Sequence, residues 1–211
     1  MASSMIHLAI THGLLNMQAF HDPARLRLGV ILPDGAIGGN SHLKQSICNG
    51  TRFHYDLEFY REHYITRMQA DDLYLGYYLH LVQDTFFRQF IYGEHHFDSS
   101  IPANVEKLHH DYAITNYAVA RKYHLTPEML QAIDITGESI LEIAPFDVPG
   151  LVAEVHQQFA SAEGECTVFT PEMAVELVER SITFCLEELQ HLAQGQPGLD
   201  SFQWSWDNRG R

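Results

Sequence analysis

Apolar residues recur at helical spacing near the start of the chain, at Ile6, Ile10, Leu14 and Met17, and predict a first helix from Met5 to about Phe20. The next stretch, LRLGVILPDGAIGGNSH over residues 26 to 42, loses that period: a short apolar run meets Pro33, Asp34 and a group of glycines, which is loop chemistry. After Asn49-Gly50 the period returns over residues 55 to 68. It strengthens over residues 71 to 92, DDLYLGYYLHLVQDTFFRQFIY, which are apolar almost all round and predict the buried central helix of a bundle. Further helices are expected from Ile101 or Pro102 with Ser100 as N-cap, briefly after Thr126-Pro127-Glu128, and across residues 149 to 162. A long amphipathic helix is expected across residues 170 to 194, with Thr170 as cap and Pro171 at its first position. The alternation that marks strands is absent over useful lengths, and the tail ending QWSWDNRGR is polar apart from its tryptophans. The pattern predicts an all-α fold, a compact bundle of about six or seven helices around the central one.

A length of 211 residues without a Pro/Gly/Ser-rich linker fits one domain, 45% apolar and 19% charged residues fit a globular one, and we read residues 1 to 211 as a single helical metal-binding domain. No apolar run approaches the roughly 20 residues of a membrane span, and the first residues lack the pattern of a signal peptide, so cytoplasmic residence is expected. Cys48, Cys166 and Cys185 are odd in number and widely spaced, which suggests neither a disulfide framework nor a thiolate zinc knuckle. A net charge of −14, with the basic residues scattered, argues against general nucleic-acid binding. The composition changes the picture most through its 14 histidines, since histidine is the commonest metal ligand.

His80 and Asp84 stand four apart on the central helix, so both side chains emerge on one face. Their neighbours Leu79, Leu81, Val82, Phe86 and Phe87 are apolar, and a carboxylate there needs a partner or a metal. A buried His–Asp hydrogen bond and metal ligation both meet that need. Gly76, one turn earlier, opens the same face to close approach by another element. His7 lies on an otherwise apolar helix face, Asp34 follows Pro33, and His42 comes eight residues later. Together these segments offer nitrogen and oxygen donors without thiolates, a donor set suited to zinc, manganese or iron with open coordination positions.

The order of these elements resembles the zinc-dependent phospholipase C and fungal single-strand nuclease superfamily, in particular its small bacterial members. The match rests on His7 within MIHLAITHGLL, on LGVILPD ending in Asp34, on Ser41-His42, and on LGYYLHLVQDTFF with its His-x-x-x-Asp, over roughly residues 5 to 125. The resemblance implies an all-helical fold that cleaves phosphoester bonds, with His7, Asp34, His42, His80 and Asp84 as metal ligands. It also implies that Asp34 bridges metals or orients the attacking water. The secreted members begin on a tryptophan whose amino group binds metal, where this chain reads Met-Ala-Ser-Ser-Met. They also carry a second His-x-x-x-Glu or His-x-x-x-Asp helix, where this chain has LHHDYAITNYAVARKYHL with Asp111 and Asn116. Asp111 thus joins the expected ligands, and one or two metals are expected instead of three.

The expected function is a metal-dependent hydrolase of phosphoester bonds using a metal-activated water, with Asp34 as the catalytic carboxylate. The expected cofactor is a divalent metal, zinc first, with manganese, iron or nickel as alternatives. The expected substrate is a small phosphorylated molecule or a lipid head group. Two other readings stay open: a non-catalytic helical protein with a structural metal or a buried His/Asp network, and a His-Asp-type nucleotide phosphohydrolase. The adjacent pairs that the latter needs occur here only at His21-Asp22 and His110-Asp111. Glu94, His95 and His96 read as an exposed loop cluster, while His54 and Asp56 are either outer partners of a ligand or helix caps.

Overall fold

The computed structural model describes residues 1–160 and 162–210. Among them run seven α-helices, α1 (Ser4–Met17), α2 (Pro23–Gly29), α3 (Leu57–Ala70), α4 (Asp72–Arg88), α5 (Pro102–Lys122), α6 (Val148–Gln157) and α7 (Pro171–Ala193), with a two-stranded hairpin, β1 (Lys44–Ile47) and β2 (Arg52–Tyr55). The mainly helical fold expected from the periodicity is present. No helix among the described residues is long and apolar enough to cross a membrane.

The central helix is α4. Fifteen of its residues are buried, from Asp72 to Phe87 with the exception of Leu75. Helices α2, α3 and α7 pack against it, α1 packs on α7 and α2, and a π-helical turn (Gln89–Glu94) continues it. Helices α2 and α4 touch backbone to backbone. A Cβ on Gly76 would lie 2.5 Å from the carbonyl oxygen of Leu26 and 3.0 Å from the Cα of Gly29, so only glycine permits this crossing. The close approach brings the C-terminal end of α2 directly over His80. Capping follows ordinary rules where side chains reach the free amides: Asp22 accepts from Ala24 and Arg25, Asp56 from Phe59, Asp71 from Leu73, and Thr170 from Met173.

Several expectations need correction. The segment expected as loop over residues 26 to 42 contains most of α2 and a 3-10 turn (Leu32–Gly35), because Asp22 and Pro23 start a helix just before it. The antiparallel hairpin was not anticipated. Its strands are four residues long, and exposure of Lys44, Gln45, Ser46 and Arg52 leaves little inward-outward alternation to read. Ser100 does not cap α5, whose N-cap is Ile101 with no side-chain bond; its hydroxyl bonds Asp98 instead. Thr126-Pro127-Glu128 opens only a 3-10 turn (Pro127–Met129). The tail docks along β2, with Trp206 paired to Phe53 and its ring 4.7 Å from that of Tyr55.

Candidate metal centre

Five of the six expected ligands are delivered to the same place, by four separate segments. α1 carries His7, α4 carries His80 and Asp84, the 3-10 turn after α2 carries Asp34, and the glycine-rich segment leading to β1 carries His42. The ligand atoms of His7, Asp34 and His80 lie within 4.8 Å of one another, and so do those of His42, His80 and Asp84. His42 Nε2 stands 3.0 Å from His80 Nε2, 3.3 Å from Asp34 Oδ1 and 3.9 Å from Asp84 Oδ2. His80 Nε2 is 4.0 Å from both Asp34 Oδ1 and Asp84 Oδ2, and His7 Nε2 is 3.6 Å from Asp84 Oδ1. Two donors held about 2.0–2.2 Å from one ion lie no more than about 4.4 Å apart, so these separations suit shared ligation.

The partners on the far side of each ring decide what the near side offers. His80 Nδ1 is 2.7 Å from the carbonyl oxygen of Val30, which only accepts, so Nδ1 carries the proton and Nε2 presents a lone pair. His7 Nδ1 faces Gln83 Oε1 at 2.7 Å with the same consequence, and His42 Nδ1 lies 3.1 Å from Ser41 Oγ. Backbone or side-chain oxygens behind histidines are what orient metal-binding imidazoles. On the inner side, His7 Nε2 and Asp34 Oδ1 are buried without a hydrogen-bond partner. Such orphaned atoms cost about 1–3 kcal/mol each unless something fills the space between them. A divalent cation fits this donor set: three imidazole nitrogens and two carboxylates with no thiolate.

Electrostatics point the same way. Burial alone would push His7 down, but the Asp84 carboxylate 3.6 Å away holds it above its ordinary 6.5. Burial and the neighbouring His7 push His80 down to about 3. Burial favours neutral carboxyls at Asp84 and Asp34, yet the surrounding imidazoles outweigh it and hold both below the usual range. The centre is therefore an anionic pocket that draws in positive charge, as a proton on His7 or as a metal ion. His7, His80 and Asp84 are fully buried, whereas Asp34 and His42 keep 14% and 13% of their side chains exposed and form the rim. A cleft of about 240 Å³ adjoins Asp34, walled by Ser4, His109, Tyr112 and Glu154. A larger groove of about 470 Å³ beside residues 132 to 136 touches no ligand residue.

Asp111 is not brought to this place. One of its oxygens accepts the amides of Thr167, Val168 and Phe169 at 2.7–2.9 Å, and the other lies 3.3 Å from His110 Nδ1. It clasps the loop before α7, a use that its position in α5 does not announce. Glu94 pairs with Arg180, His95 packs on Phe90, and His96 Nδ1 bonds the carbonyl of Gly210. His54 bonds Ser201 in the tail, and Asp56 caps α3. His156 bonds the Leu130 carbonyl, and His191 is exposed. Sequence reasoning missed Gln83, Tyr55, Arg88 and the Val30 carbonyl. Gln83 stands one turn from Leu79 and next to Asp84 on a buried helix, which was a usable signal; a backbone carbonyl leaves none. Comparison with family models, with curated proteins and with solved structures gives no match.

Proposed function

We propose that the chain is a metal-dependent hydrolase of phosphoester bonds, acting in the cytoplasm on a small phosphorylated substrate or lipid head group. The observation that carries this reading is the pair of orphaned atoms, His7 Nε2 and Asp34 Oδ1, facing into a cluster whose rim borders a cleft. His7, His42, His80, Asp34 and Asp84 would hold the ion, zinc first and manganese, iron or nickel as alternatives. When bound, the ion supplies a Lewis acid that lowers the pKa of water toward neutrality and offsets anionic charge on the substrate. Asp34, on the rim and held ionised by its imidazole neighbours, orients a water in the cleft and accepts its proton. Val30, Gln83 and Ser41 hold the imidazoles in place throughout, so little reorganisation accompanies the reaction. The resemblance to the phospholipase C and nuclease superfamily supports the choice of a phosphoester.

One contact favours a rival reading. His42 Nε2 and His80 Nε2, 3.0 Å apart, could share a proton in a purely hydrogen-bonded network. Metal content separates the two: protein purified without chelator should hold about one divalent ion per chain, and a value below about 0.2 supports the network. Turnover should be sought with generic phosphodiesters, phosphomonoesters and phospholipids. It should vanish with chelator and return with metal, and activity that survives thorough chelation overturns the proposal.

A further inference from the structure

We propose that Tyr55, braced by Arg88, is a positioning residue that fixes the orientation in which Asp84 meets a metal ion; the proposal rests on the metal reading above. An aspartate carboxylate turns easily about its last torsion. At Asp84 two donors from separate segments stop that rotation. The Ala2 amide donates to Oδ1 at 2.9 Å, and the Tyr55 hydroxyl donates to Oδ2 at 3.0 Å. Oδ2 faces His42 and His80, and Oδ1 lies 3.6 Å from His7 Nε2, so the angle of the carboxylate sets where both oxygens stand against the imidazoles. Turning the carboxylate away from this angle would break one of these bonds.

The direction of the Tyr55 bond is fixed by what lies behind it. Arg88 Nε donates to the Tyr55 oxygen at 3.0 Å, and a guanidinium never accepts. The single hydroxyl proton therefore points to Asp84. Arg88 is itself held, one turn beyond Asp84 on α4, by its bond to Tyr92 Oη at 2.8 Å and by the Trp206 ring, 5.2 Å away. The run from Arg88 through Tyr55 to Asp84 crosses from α4 to the end of β2 and back. A tyrosine that only filled the core would need no such alignment, and phenylalanine would serve as well.

Cobalt(II) titration followed by visible absorption tests this, because the band reports the number and arrangement of ligands. Tyr55→Phe should keep its helix content, bind cobalt about 10–100-fold more weakly, and show an altered band as the freed carboxylate turns. Arg88→Met, provided it folds, should shift the band in the same direction. An unchanged band in Tyr55→Phe overturns the proposal whatever happens to affinity, since weaker binding with the same ligand arrangement marks a merely structural hydroxyl. Wild-type chain that binds no cobalt sinks the metal reading and this inference with it.

Discussion

The same relay of side chains occurs twice in this molecule, with different surroundings. At the centre, Arg88 donates to Tyr55, which donates to Asp84, whose other oxygen accepts the Ala2 amide. On the opposite flank of α4, Arg61 donates to Tyr78, which donates to Glu188, whose other oxygen accepts the Leu199 amide. Both carboxylates are buried, and both have donors on each oxygen. The difference lies in what else faces them. Glu188 is met by Arg61, 3.7 Å away, and by the tail, so the network is complete as it stands. Asp84 is met by imidazole nitrogens whose protons point elsewhere, and by His7 Nε2 with no partner. Holding a carboxylate in a core takes donors; leaving acceptors gathered beside it calls for a cation.

The largest expected effects separate the two regions. Asp84→Asn should weaken divalent-metal binding by more than about 100-fold, above the loss typical of outer partners, while far-ultraviolet circular dichroism stays unchanged. Glu188→Ala should do the reverse, destabilising the fold by about 3 kcal/mol through the stranded Arg61 and Tyr78 and leaving metal stoichiometry intact. Loss of metal from the Glu188 variant, with the fold retained, would break the comparison.

Smaller effects sharpen it. Gly76→Ala forces α2 away from α4 and so carries the Val30 carbonyl off His80; about 1–3 kcal/mol of stability and about tenfold in metal affinity should be lost together, read by denaturant titration and calorimetry. Next comes pH. His7 is held above 6.5, so below that raised value a proton occupies the place a metal would take, and affinity should fall by about tenfold per pH unit per displaced proton as pH drops. Calorimetric titration in buffers of different ionisation enthalpy should show that proton released on binding. For the metal-free protein the sign at His80 is opposite to that at His7. Its folded value of about 3 lies below 6.5, so its contribution is full above pH 6.5 and is lost as pH falls toward 3. That of His7 is full below 6.5 and is lost as pH rises through its raised value. Melting curves across pH 3 to 8 should therefore bend near neutrality, and a flat profile would falsify the assigned shifts.

Legibility in the sequence followed how strongly each residue contradicted its surroundings. His80 and Asp84 stood out because polar residues on an all-round apolar helix need a reason. His7 and Asp34 stood out for the same cause, one on an apolar face and one after an apolar run into Pro33. Asp111 misled because a buried aspartate that clasps backbone amides looks, in one dimension, like one that waits for a metal. Tyr55 and Arg88 were invisible because their role depends on a hairpin too short and too exposed to show strand alternation, and on a tail that returns from the far end of the chain. The Gly29–Gly76 crossing was legible only as an opening at Gly76; its use, the placing of a carbonyl behind a histidine, belongs to the backbone.

The unequal burial of the five donors bears on time as well as on strength. His7, His80 and Asp84 sit in packed helices, whereas Asp34 and His42 bound a stretch that contains Gly38, Gly39 and the exposed Ile37. On the metal reading proposed above, an arriving ion would meet the partly exposed Asp34 and His42 before the buried donors. Lengthening or stiffening residues 35 to 41, which join the two rim donors, should therefore change how fast an ion enters and leaves more than substitutions within the helices do.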